Sequence, residues 1–270
     1  MRIGVFDSGI GGLTVLAALD RALPEHDLVY LGDTARVPYG TRSPLTVQRY
    51  ARRVSSYLHS DGVHVLVIAC NTATAHALPT LQAAGAKVGV PVFGVIEPGV
   101  SAALSAHRTG AVAVLGTEGT IRGGAYQRAL ATARPDLTVE AVPCPLFVPL
   151  AEEGWTDGEV PRLVAETYVS HLRGRVDTVI LGCTHYPLLR GVLASVLPEA
   201  TLVDSATATA EALREHLGPL QPGRGSRRYL VTDHVDRFQS VGARFLGRRP
   251  DPVTWVDLPE AAGPFAEPEG

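Results

Sequence analysis

Residues 65–76 read VLVIACNTATAH, an unbroken apolar run that ends in a thiol, an amide and two hydroxyls. Solid Val/Ile/Leu runs, rather than alternating ones, mark strands covered on both faces, as in parallel sheets. Polar residues arriving together at the carboxyl end of such a strand fall where α/β sheets bind their ligands. Residues 178–187, TVILGCTHYP, repeat the layout of strand, cysteine and threonine-containing turn. The chain holds only three cysteines, so two in matched settings is the feature to explain.

Outward from these stretches the same grammar continues. Strands are expected at Ile3–Phe6, Leu28–Leu31, Val65–Ala69, Val92–Val95, Ala111–Leu115, Thr138–Val142, Thr178–Leu181 and Thr201–Val203. Helices are expected to start near Leu13, Pro44, Ala73, Gly99, Gly123, Gly158, Leu188 and Thr207. Pro44 and Pro98 suit helix starts, and Gly218 and Gly247 suit helix stops. Strict alternation implies α/β units with mainly parallel sheets flanked by helices. Aligned on their cysteines, VHVLVIACNTATAHALPTL and VDTVILGCTHYPLLRGVL match, and RIGVFDSGIGGLTVL weakly echoes AVAVLGTEGTIRGGAY. The expected molecule therefore has two pseudo-symmetric α/β lobes with the site in the cleft between them. Residues 1–95 plus 208–256 form the first lobe with Asp7 and Cys70, residues 96–207 the second with Glu152 and Cys183, and 257–270 a flexible tail.

Composition narrows the class. The 270 residues are 46% hydrophobic and 19% charged with a formal net charge of −3, so nothing suggests disorder or a nucleic-acid partner. No apolar run approaches the ~18 residues of a membrane span, and Met1 leads straight into RIGVF, so neither membrane association nor a signal peptide is expected. An odd, sparse cysteine count without CxxC argues against a disulfide framework and points to reduced thiols in the cytoplasm. A disulfide between Cys70 and Cys183 stays open, though no spacing favours it. No metal is expected: Cys183-x-His185 offers two ligands where zinc wants three or four.

Each motif has a bland reading beside its functional one. DSGIGG (7–12) opens a helix after a strand, yet departs from GxGxxG at Thr14, which argues against a dinucleotide. By itself it favours a helix-capping Asp7 with Ser8 as a turn residue. Cys70 and Cys183 precede helices, whose positive termini are expected to lower a thiol's pKa. One such cysteine would read as packing; the pair, with Asn71, Thr72, Thr184 and His185 beside it, reads as a site. Cys144, between two prolines, reads as packing. VPYG (37–40) reads by default as a structural turn, with Tyr39 lending hydroxyl or backbone to a ligand as the alternative; GTEGT offers Thr117 and Thr120 at a helix start; and Glu152 in PLAEEG reads as a surface acid in preference to a partner orienting an imidazole.

DSGIGG, PYG, ACNTA, GTEGT, PLAEEG and GCTHYP, in this order, resemble the glutamate racemases of the aspartate/glutamate racemase superfamily. The resemblance runs from Arg2 to about Leu217; beyond it VTDHVDRF follows the family's closing strand and helix only loosely. It implies that Cys70 and Cys183 are the catalytic acid/bases, Cys70 acting on D-glutamate and Cys183 on L-glutamate. It implies supporting roles for Asp7 near Cys70 and for Glu152 with His185 near Cys183. Substrate contacts would come from Asp7, Ser8, Pro38, Tyr39, Gly40, Asn71, Thr72, Thr117, Thr120, Thr184 and His185. The implied enzyme uses no cofactor, is a homodimer in many relatives, and supplies D-glutamate for peptidoglycan. The sole lysine, Lys87, sits in what reads as a surface loop, which independently disfavours pyridoxal phosphate. Each sulfur should come within ~3–3.5 Å of the reacting carbon, from opposite sides. Aspartate or hydantoin racemase and maleate isomerase share the paired cysteines, and a non-catalytic binder of acidic amino acids or a thiol redox switch would also fit parts of the pattern.

Overall fold

A computed structural model describes residues 1–219 and 222–266. Along the chain the strands are β1 (Arg2–Asp7), β2 (Asp27–Gly32), β3 (Val65–Ile68), β4 (Val92–Gly94), β5 (Ala111–Gly116), β6 (Val139–Pro143), β7 (Val176–Gly182), β8 (Thr201–Asp204), β9 (Arg227–Val231) and β10 (Val253–Trp255). They form two sheets, ordered β10-β9-β2-β1-β3-β4 and β6-β5-β7-β8, with every pairing parallel. The order β2-β1-β3-β4 in one matches β6-β5-β7-β8 in the other, so β3 and β7, which lead into Cys70 and Cys183, hold equivalent places. All eight expected strands form.

Covered faces explain the solid apolar runs. In β3, Val65 and Val67 feed one core while Leu66 and Ile68 feed another across the sheet. In β7, Val179 and Leu181 pack on one side and Ile180 on the other. Helices α1 (Leu13–Ala22), α2 (Pro44–Ser60) and α3 (Asn71–Ala86) cover the first sheet. Helix α4 (Ile96–Ala106) already packs on the second through Ile96, Val100 and Ala103.

Several expected boundaries shift. The helix expected from Gly123 is two, α5 (Glu118–Gly123) and α6 (Ala125–Ala133), separated by Gly124 at φ 67°, a left-handed conformation that suits glycine. Helix α7 (Phe147–Glu153) was not expected; its Pro149 lies in the first turn, where no hydrogen bond is lost. Helices α8 (Glu159–Val169), α9 (Arg190–Val196) and α10 (Ser205–Leu217) follow, the last returning the chain to the first core through Ala206, Ala210 and Leu213. Beyond it, β9, α11 (Val235–Leu246) and β10 extend the first sheet and its cover. The expected loose tail needs correction as far as Ala266. Leu258 and Phe265 are buried in the core beneath α2, and Arg52 of α2 donates to the carbonyls of Phe265 and Ala266 at 3.3 and 2.6 Å. Apolar burial and these bonds hold the segment; residues 267–270 lie outside the described residues. No described helix is long and apolar enough to cross a membrane.

Candidate active site

Cys70 ends β3 as the N-cap of α3, its sulfur accepting from the Ala73 N–H at 3.4 Å and donating to Ser8 Oγ at 3.7 Å. Cys183 ends β7, its carbonyl accepting from the Tyr186 N–H at 3.1 Å as the chain turns towards α9. Both thiols are free, buried, and on the wall of one cavity of about 230 Å³. Ser8, Pro38, Tyr39, Gly40, Asn71, Thr72, Thr117, Thr120, Thr184 and His185 share that wall. Asp7 and Glu152 do not; they stand behind it.

The polar groups are held in place by one another. Thr72, Thr117 and Thr120 form a hydroxyl triangle with edges of 3.0–3.1 Å, tying α3 to the start of α5. Asn71 Oδ1 accepts from the buried Tyr126 hydroxyl at 2.7 Å, leaving its buried amide Nδ2 without a protein partner. A buried donor left unpaired is costly, so this one suits a ligand acceptor. The Tyr39 hydroxyl donates to Asp33 Oδ2 at 2.6 Å, so the side chain anchors the turn, and residues 38–40 lie on the cavity wall. Asp33 in turn accepts from Arg36 and Thr232 at 2.8 and 3.0 Å.

Behind Cys183 runs a relay. His185 Nδ1 lies 3.8 Å from the Cys183 sulfur, and His185 Nε2 lies 3.0 Å from Glu152 Oε1. Burial alone would lower the imidazole, but hydrogen bonds to Cys183 and Glu152 prevail and raise it to about 10. Burial opposes ionisation of Glu152 too, yet His185 and Arg237 hold its carboxyl below the usual range. Its reading as a surface acid is thus replaced by a contact that β7 and α7 create. Behind Cys70, the Asp7 carboxylate turns towards the start of α1: Oδ2 accepts from the Gly9 N–H at 2.9 Å, and burial, only partly offset by His185 and by the Gly9 and Gly12 N–H groups, raises its carboxyl.

The expected lowering of the Cys70 thiol is overturned. Burial, then the Asp7 charge, push it up to about 12, and the Ala73 N–H and Ser8 offset only part of that. A helix terminus acts through one N–H here; desolvation acts on the whole sulfur. Cys144 is buried and donates to the Val142 carbonyl at 3.5 Å, a packing role.

Several participants were not foreseen. Val37, Thr41, Glu118, Pro145, Val148 and Pro149 complete the wall. Arg237 and Phe245 of α11 reach Glu152 and His185. Except for Val37 and Glu118, which lie inside the quoted VPYG and GTEGT stretches, none carries a local signal, since each becomes a neighbour only through the tertiary fold. Gly11 is different: it sits in the noted glycine motif, and a Cβ there would press on Thr184 and on His185, 2.5 Å from Cε1. Among the described residues, no three His, Cys, Asp or Glu side chains converge to hold a metal ion.

Two parallel-sheet units, each delivering a strand-end cysteine to one shared cavity, define a two-lobed α/β enzyme. Residues 3–213 match the family described as Asp/Glu/hydantoin racemase. The chain is 51% identical to the glutamate racemase of Geobacter metallireducens over 95% of its own length and 96% of that protein's. Among solved structures it resembles glutamate racemase from Francisella tularensis in complex with D-glutamate, with TM-score 0.87, 36% identity, and 95% and 97% of the two chains covered. Glutamate racemase from Thermus thermophilus in complex with β-chloro-D-alanine gives TM-score 0.85 and 44% identity, with 95% and 97% covered. This chain belongs to the Asp/Glu/hydantoin racemase family.

Proposed function

We propose that the chain is a glutamate racemase in which Cys70 and Cys183 exchange a proton with Cα of glutamate from opposite faces. The observation that carries this reading is the pair of strand-end thiols, one from each sheet, on one cavity. That cavity is smaller than the ~300–1,000 Å³ of sites for drug-sized ligands and suits a small metabolite. One sulfur, as thiolate, takes the Cα hydrogen as a proton, and the bonding pair stays on the substrate as a carbanion delocalised into the α-carboxylate. The opposite thiol then returns a proton to the other face, so atoms and charge balance and the two sulfurs exchange roles.

The α-hydrogen is barely acidic, so the intermediate needs preorganised donors. The Asn71 amide, the threonine hydroxyls, the start of α3 and the Ser8 hydroxyl offer them from the cavity wall. A lysine Schiff base is out of reach: Lys87 is exposed at the C-cap of α3, and 16 residues of helix, about 24 Å at 1.5 Å each, separate it from Cys70. The reaction proposed here uses no cofactor. The family supports a homodimer, testable by sedimentation, and a cytoplasmic role in supplying D-glutamate for peptidoglycan.

The test is α-proton exchange in deuterium oxide with each enantiomer. Cys70→Ser and Cys183→Ser should each lose racemisation, with any residual exchange confined to one enantiomer, opposite for the two variants. Normal racemisation by both variants would end the two-thiol reading. Aspartate and hydantoin substrates assayed alongside glutamate fix the specificity.

A further inference from the structure

Helix α11 belongs to the first sheet's cover and lines no part of the catalytic cavity, yet one of its faces grips the relay behind Cys183. Arg237 donates to Glu152 Oε2 at 3.2 Å and lies 3.5 Å from Glu153 Oε1. Arg244, two turns on, donates to the Glu152 main-chain carbonyl across Gly154, where a Cβ would stand 2.9 Å from its Cζ. Phe245 meets the His185 ring edge-on at 5.1 Å. The two oxygens of Glu152 therefore have separate partners, an imidazole on one and a guanidinium on the other.

We propose that Arg237 is a positioning residue for the Cys183 half of the reaction. By occupying Oε2 it fixes the carboxylate so that Oε1 meets His185 Nε2, which leaves Nδ1 against the Cys183 sulfur. Without the guanidinium the carboxylate is free to rotate, and the ring loses its fixed orientation. The inference rests on the reading that Cys183 transfers a proton. The charged and titratable groups around Glu152 are His185 from the β7 turn, Arg237 and Arg244 from α11, Glu153 on its own helix and Asp7, whose carboxyl senses the Glu152 charge. His234, at the start of α11, lines a small neighbouring cavity with Glu152 and Arg237.

Arg237 is half exposed, so Arg237→Gln is expected to fold. Two readouts follow the relay in full-length protein: the pH at which the Glu152-bonded His185 Nε2–H resonance disappears on acidification, and the acid limb of kcat/KM. Arg237→Gln should move both up by about half a pH unit, as loss of a partly exposed arginine–carboxylate pair implies. Arg237→Lys should restore them, and Arg244→Gln, which touches only the carbonyl, should leave them in place. Unchanged readouts in Arg237→Gln, however far the rate falls, overturn the proposal, and so does an equal displacement in Arg244→Gln. Cys183→Ser assayed in parallel separates the two levels. If it racemises normally, the underlying reading fails; if it is inactive while Arg237→Gln keeps the wild-type limb, only the role of Arg237 fails.

Discussion

Gly11→Ala tests whether the first lobe's glycine turn sets the position of the imidazole behind Cys183. An added methyl would stand 2.5 Å from His185 Cε1 and press on Nδ1 and on Thr184 Oγ1. Ordinary carbon contacts are about 3.5–4.0 Å, so the ring or the start of α1 must retreat by about 1 Å. His185 is packed edge-on against Phe245 and bonded to Glu152, so the displacement reaches its contact with the sulfur. A misplacement of that size costs about 100-fold in rate. Overpacking adds about 1–3 kcal/mol of lost stability, or about 2–4 °C in Tm for each kcal/mol in a chain of this size. The assay is racemisation of each enantiomer followed by circular dichroism well below the melting transition, beside a thermal melt. Gly191→Ala is the control, because Gly191 is an exposed position in α9 with open space around its Cα. That change should leave kcat alone and raise stability by about 0.5–1 kcal/mol. Wild-type kcat in Gly11→Ala would refute the claim that this turn positions the ring.

Glu152→Gln should change how stability depends on pH. The raised His185 contributes stability in full below its ordinary value of 6.5 and loses it as pH rises through about 10, while the lowered Glu152 contributes above 4.5 and loses it in acid. Urea unfolding at a series of pH values should thus find wild type and variant furthest apart between 4.5 and 6.5 and converging towards 10; a gap independent of pH contradicts the ion pair. Tyr39→Phe removes a buried bond to Asp33 and should cost about 1–3 kcal/mol of stability while kcat is largely kept. A collapse of kcat with unchanged Tm would place the hydroxyl in the chemistry instead.

How much of this was legible in the sequence depended on how local each signal was. The apolar runs of β3 and β7 announce themselves because both faces of each strand are covered, and the duplicated cysteine turns mark the site without any structure. Strand β9 hides behind two arginines, with only Tyr229, Leu230 and Val231 buried, so its apolar run is too short to stand out. Glu152 sits in a stretch that reads as solvated surface, and its partner His185 is 33 positions away, a distance only the fold closes. The Cys70 thiol shows the opposite failure: the helix terminus was visible, but the burial that outweighs it was not.

The two halves of the molecule repeat a scaffold without repeating its electrostatics. Equivalent strands carry the cysteines, yet an acid stands behind Cys70 and an imidazole paired with an acid behind Cys183. On the proposed reading this inequality cannot favour one enantiomer at equilibrium, because L- and D-glutamate have equal free energies in solution. The two values of kcat/KM must then be equal, and any asymmetry between the thiols is confined to kcat and KM taken separately. With its thiol pushed up to about 12, Cys70 is protonated at neutral pH in the free protein, so it waits as the acid. It becomes a base only when something in the closed cavity stabilises a thiolate. The ammonium group of a bound amino acid is a charge of the required sign, brought by the substrate itself. Activation of that sulfur is then a consequence of binding, and the empty site is spared a standing thiolate beside a buried carboxylate.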